Sequence, residues 1–156
     1  MTIYLATDHA GFKLKEAMKQ FLVGKKYEVK DLGALKYEDG DDYPDYIKLA
    51  AAQISKKPED KAIIFGKSGQ GEAMTANRYK NVRAVVYYGE PAEALAKDHG
   101  RMAIVKLSRE HNDANVLSLG ADFVNEQQAM AAIELWLATP FSGEERHTRR
   151  INKIEK

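Results

Sequence analysis

Short apolar runs alternate five times with longer stretches of helical periodicity, and this alternation constrains the fold more than any other feature of the chain. "IYLAT" (3–7) reads as a buried strand. "FKLKEAMKQFLV" (12–23) repeats apolar residues at helical spacing through Phe12, Ala17, Phe21 and Leu22. The series continues with strand "YEVKDLG" (27–33), helix "YPDYIKLAAAQIS" (43–55) with a proline near its first turn, strand "AIIFG" (62–66) and short helix "EAMTANRY" (72–79). It closes with strand "VRAVVYY" (82–88), a mostly helical stretch over 90–110 interrupted at Gly100, strand "NVLSLG" (115–120) and helix "EQQAMAAIELWLAT" (126–139), which Pro140 ends. Strand followed by helix, repeated, predicts an α/β fold: a parallel sheet covered on both faces and joined by right-handed crossovers. Residues 1–140 form the α/β domain in this reading, and 141–156 form a basic C-terminal tail.

A chain of 156 residues is one domain and buries enough surface to need no covalent staples. It has no cysteine, which removes disulfides, thiolate metal sites and a thiol nucleophile. The start, "MTIYLATDHAG", lacks the basic flank and long apolar stretch of a signal peptide, and no run of about 18 apolar residues could span a bilayer. The expected location is therefore cytoplasmic. A net charge of +1 gives no general attraction to nucleic acid, and "RHTRR" alone is a short basic patch.

In a parallel α/β sheet, ligands bind beyond the carboxyl ends of the strands. Three polar clusters are predicted to fall there: Asp8 and His9 after the first strand, the loop at Asp42 and Tyr43 after the second, and "GKSGQG" after the third. The glycine loop is not a dinucleotide fingerprint, because Gly66, Gly69 and Gly71 do not follow G-x-G-x-x-G and the loop follows the third strand. Nor is it a Walker A loop, which would need glycine where Lys61 stands. Bare backbone at these positions lets N–H groups face an anion, either a phosphate or an oxyanion formed during reaction; it serves a plain strand-to-helix turn equally. Glu72 opens the following helix, where the dipole favours its charge. As an isolated residue it is an ordinary first-turn acid. Beside oxyanion-binding amides it suits proton abstraction next to a carbonyl.

The motifs "TDHAGFKLK", "DYPDY", "GKSGQGEAMTANR", "SREHNDANVLSLGA" and "RHTRRINKI" occur in an order that resembles the type B ribose-5-phosphate isomerases and their relatives acting on galactose and allose 6-phosphates. The resemblance covers nearly the whole chain. It implies a three-layer α/β/α, Rossmann-like fold with a five-stranded parallel sheet. It further implies a homodimer, alone or paired into a tetramer, with active sites shared between subunits. The implied chemistry is aldose–ketose isomerisation through an enediolate, without metal or organic cofactor. Many members carry a cysteine base at the position of Gly66. This chain resembles the branch that places a serine, here Ser68, in the loop and a glutamate, here Glu72, directly after it.

By that resemblance Glu72 moves the proton between C1 and C2, and Ser68 helps move hydroxyl protons. The backbone of Lys67, Ser68, Gly69, Gln70 and Gly71 holds the oxyanion. Asp8 and His9 bind sugar hydroxyls and phosphate, His111 opens the furanose ring with Asn112 beside it, and Arg146 and Arg150 clamp the phosphate. Tyr43 lines the sugar pocket. Because His111 precedes the fifth strand while Glu72 follows the third, the two are expected at opposite ends of the sheet and meet only if His111 reaches a neighbouring subunit.

Three departures stand out. Asp122 follows "SLGA" where the family carries an arginine, Lys67 replaces a glycine, and "EALAKDHGRMAIV" (93–105) adds length. Lys67 is read as either a partial replacement for the lost cation or a solvent-facing lysine. A six-carbon 6-phosphate, or a non-catalytic binding role on the same scaffold, remain as alternative readings. His99 is expected at the surface, and His147 carries either a secondary phosphate role or none. Trp136 belongs to the core or an interface. Glu38, Asp39, Asp41, Asp42 and Asp45 lack calcium-loop spacing and read as a solvated acidic loop. No histidine spacing supports zinc.

Overall fold

The computed structural model describes residues 1–89 and 104–155. His99, Gly100 and most of the added segment therefore lie outside the described residues. Five strands, β1 (Thr2–Thr7), β2 (Glu28–Asp31), β3 (Lys61–Gly66), β4 (Ala84–Tyr87) and β5 (Val116–Gly120), form one sheet in the order β2-β1-β3-β5-β4, with every pairing parallel. The helices are α1 (Phe12–Gly24), α2 (Tyr43–Lys56), α3 (Gln70–Ala76), α4 (Ile104–Asn112), α5 (Glu126–Ala138) and α6 (Glu145–Ile154).

The continuous apolar runs of β1, β3 and β5 follow from burial on both faces. Ile3, Leu5, Ile63, Phe65, Leu117 and Leu119 point to one face, where α1 supplies Leu14, Met18 and Leu22 and α5 supplies Ile133 and Trp136. Tyr4, Ala6, Ala62, Ile64 and Val116 point to the other, against Ile47, Ala50 and Ile54 of α2 and Ala76 of α3. Trp136 is fully buried in the first layer, so it belongs to the core of the single chain. No helix among the described residues is long and apolar enough to cross a membrane.

The residues expected to be a tail form a helix. α6 turns His147 inward and is fastened at its end by Glu155, whose carboxylate accepts from Asn81 N–H and from the Arg83 guanidinium at 3.0 Å each. The signal was present in the sequence: His147, Ile151 and Ile154 repeat at helical spacing, but the five Lys, Arg and Glu residues of α6 hid it. α3 also begins two residues earlier than expected, at Gln70, which puts Glu72 at its third position.

Candidate active site

From β1 the chain crosses through α1 to β2 on one side, and from β3 it crosses through α3 to β4 on the other. The crevice where the order reverses lies between β1 and β3, beyond their carboxyl ends. Asp8 leaves β1 there and the 66–71 loop leaves β3 there.

Glu72 is 4% exposed, and its carboxylate occupies the space a side chain at Gly66 would fill. Any Cβ at Gly66 would overlap Glu72 Oε1, and the obstacle is the far end of one flexible side chain. A cysteine at 66 and a carboxylate from 72 therefore compete for one volume. Gly69 adopts φ +73, a left-handed conformation that turns the loop into α3. Ser118 on β5 anchors that turn by donating to Gly69 O at 2.7 Å, and Ala121 N–H donates to Gly66 O at 2.8 Å. Ser68 Oγ accepts from Gln70 N–H at 3.3 Å, and Tyr43 packs its hydroxyl end onto Gly71.

Burial pushes the Glu72 carboxyl above its ordinary range; its own N–H opposes this and the Asp8 charge adds to it. Asp8 is itself raised, first by burial and then by Asp41, against the N–H groups of Ala10 and Gly11 and the charge of His9. Glu72 thus senses the charge of Asp8, and both carboxyls have raised proton affinity, a property that recurs where general acid–base work is done.

Lys67 and Asp122, two of the departures, lie side by side at the rim with Nζ 4.0 Å from Oδ2, and both are exposed. The Lys67 charge thus stands beside an opposing carboxylate. The acidic loop is not uniformly solvated: the Asp41 side chain is only 9% exposed, and its Oδ1 accepts from His9 N–H at 2.7 Å and contacts His9 Nδ1 at 2.8 Å. Nothing in the sequence signals this pair, whose members stand 32 residues apart. Asp8, His9 and Asp41 have potential ligand atoms within 4.8 Å of one another. A cation there would have to displace the bond between His9 and Asp41.

The remaining residues form a second cluster. Asn112 O accepts from Arg83 Nε at 3.0 Å, directly before β4 begins, so the end of α4 lies at the amino ends of β4 and β5. The His111 ring stacks on His147 at 4.2 Å between centroids, which gives buried His147 a packing role behind His111. Burial and the neighbouring His111 lower the His147 proton affinity. Arg146 and Arg150 are exposed on α6, with Arg146 Nε 2.7 Å from Glu144. Asp8, His9, Tyr43, Lys67, Ser68, Gly69, Gln70, Gly71 and Glu72 are therefore gathered at one end of the sheet. His111, Asn112, Arg146 and Arg150 are gathered at the other.

The chain matches the family described as Ribose/Galactose Isomerase over residues 3–154. It is 34% identical over 152 residues to a ribose-5-phosphate isomerase B of Mycobacterium tuberculosis, covering 97% of this chain and 86% of that one. It is 35% identical over 153 residues to a probable ribose-5-phosphate isomerase B of Mycoplasma genitalium, covering 97% and 92%. The crystal structure of the Thermotoga maritima ribose 5-phosphate isomerase superposes with a TM-score of 0.86 at 36% identity over 99% of this chain and 97% of that one. The Mycoplasma genitalium enzyme with bound ribulose-5-phosphate superposes with a TM-score of 0.87 at 34% identity over 99% and 93%.

Proposed function

The chain belongs to the ribose/galactose isomerase family, and from that membership we propose a ribose-5-phosphate isomerase in which Glu72 is the base. The enzyme interconverts ribose 5-phosphate and ribulose 5-phosphate. The observation that carries the assignment of the base is the buried Glu72 carboxylate, seated over Gly66 at the switch point with raised proton affinity.

The steps follow from what surrounds it. With the open-chain aldose bound, the Glu72 carboxylate removes the C2 proton, and the C2–H electron pair forms the enediolate double bond as charge moves to O1. Amides of the 67–71 loop stabilise that oxygen. Ser68 relays the hydroxyl proton between O2 and O1, and Glu72 returns its proton to C1. Asp8 orients the sugar hydroxyls, and His9 binds hydroxyl or phosphate. The separation of the two clusters supports a homodimer in which one subunit supplies Glu72 and its neighbour supplies His111, Asn112, Arg146 and Arg150. There His111 would open the furanose ring and the two guanidinium groups would clamp the phosphate.

The test is a panel of five- and six-carbon sugar phosphates, together with proton exchange at C2 in deuterated water. Ribose 5-phosphate is expected to turn over fastest and to exchange C2–H for deuterium. Faster turnover of a six-carbon 6-phosphate would move the assignment to that sugar, and binding without exchange would make the protein a non-catalytic binder.

Gly66→Ala probes the seat of the base. Because a flexible carboxylate yields, the fold should survive with an unchanged circular dichroism spectrum, while Glu72 shifts off its position. A displacement of about 1 Å can cost roughly 10²-fold. The expected result is a fall of that order in kcat, and an unchanged kcat would show that the carboxylate works from another place.

A further inference from the structure

We infer that Asp41 is a positioning residue for His9, fixing the imidazole as a charged donor toward the substrate; this rests on the proposed role of His9 in substrate binding. One oxygen, Asp41 Oδ1, holds His9 twice, through the backbone N–H at 2.7 Å and through ring Nδ1 at 2.8 Å. The two contacts fix both the turn after β1 and the rotation of the ring. With Nδ1 turned to the carboxylate, the proton there is assigned by its partner, and Nε2 is the ring's remaining polar edge. The His9 side chain is 30% exposed, so the site is open on one side and Asp41 lies behind it, itself 9% exposed.

The two carboxylates facing His9 favour the charged ring. Asp8 adjoins it in sequence, Asp41 holds Nδ1, and the Tyr37 ring stands edge-on at 6.3 Å between centroids. The Asp41 bond raises the proton affinity of His9; partial burial opposes this and the Asp8 charge adds to it. Burial pushes the Asp41 carboxyl up, but the His9 N–H, the His9 ring and the Tyr46 hydroxyl outweigh it and hold Asp41 below the usual carboxylate range. A second feature fits this role. The 32–42 segment is tied back to β1, with Thr7 N–H donating to Gly33 O at 2.8 Å and Ala34 N–H to Thr7 O at 2.7 Å, which brings Asp41 to the end of that strand. Asp41 thus holds the His9 ring in one rotation at the end of β1 and raises its proton affinity.

The sign of the effect on pH follows. The raised proton affinity keeps His9 charged to higher pH, and binding that depends on the cation is lost as pH rises through that value. Asp41→Asn keeps the shape and one acceptor but removes the charge. The His9 ring resonance, assigned by its loss in His9→Asn, should titrate at lower pH in Asp41→Asn than in the parent. KM for ribose 5-phosphate should rise about tenfold between the two titrations, the difference between a charged and a neutral hydrogen-bond donor, and converge with the parent in acid while kcat is held. In a His9→Asn background, adding Asp41→Asn should change KM by less than about twofold. Should Asp41→Asn fail to fold, Asp41→Ser, which retains a small acceptor for the His9 N–H, is read by the same three measurements. An unmoved His9 titration, or the same KM increase with and without His9, would overturn the inference. The titration needs no substrate, so it distinguishes a failed Asp41–His9 pair from a failed assignment of ribose 5-phosphate.

Discussion

Glu72→Gln should lower turnover of ribose 5-phosphate by roughly 10²–10⁴ while leaving KM nearly unchanged, because a general base contributes about that factor and contributes it in the transition state. Gln fills the same space over Gly66, so the loop and the substrate's binding groups stay in place. Burial and the Asp8 charge raise the proton affinity of Glu72, so the acid limb of the parent's kcat/KM profile should lie above the range of a solvent-exposed glutamate. Asp8→Asn should move that limb to lower pH, since it removes one of the two raising influences.

The same substitution has a consequence for stability with a definite sign. Glu72 binds its proton more tightly in the folded chain than in the unfolded one. Between those two values the folded state holds more protons, so stability falls as pH rises through the window, and the full penalty is present above it. Glu72→Gln carries no charge and escapes the penalty. Its melting temperature should exceed the parent's at neutral pH, and the gap should close in acid. An inactive variant that also melts lower at neutral pH would point to a disrupted site, with no information on the base.

The sheet was legible because β1, β3 and β5 must be apolar on both sides, and "IYLAT", "AIIFG" and "NVLSLG" carry that requirement in consecutive residues. The strand-end rule then placed Asp8 and the glycine loop together without any side-chain detail. The order β2-β1-β3-β5-β4 was not legible, because adjacency of β3 and β5 depends on packing between segments more than 50 residues apart. Asp41 was hidden for a related reason. Its burial comes from a loop folding back on β1, while its sequence neighbours Glu38, Asp39 and Asp42 are exposed. Glu72 was singled out by its place directly behind the glycine loop, but its contact with Gly66 depends on the backbone path of five intervening residues. α6 was obscured by composition: charged residues dominate it, and His147 is its one buried residue.

Mixed dimers carrying Glu72→Gln in one subunit and His111→Ala in the other should recover about half of the parent's activity per dimer, although each homodimer is nearly inactive. The geometry of one chain motivates this. His111 lies near the amino ends of β4 and β5, and the Glu72 loop lies beyond the carboxyl ends of β3 and β5. The four steps from Val116 to Gly120 alone span about 13 Å at ordinary strand rise, farther than a hydrogen-bonded pair of side chains on one sugar phosphate would allow with the sheet between them. In a two-fold dimer with shared sites, one site of the mixed species collects both substitutions and the other collects neither. Sites confined to single chains would each keep one defect, and the mixed species would stay as inactive as its parents. Two affinity tags, purified in sequence, isolate the mixed species and make the two outcomes distinct. The same logic extends to Arg146 and Arg150: Arg146→Ala should complement Glu72→Gln but should not complement His111→Ala, because it belongs to the same half of the site.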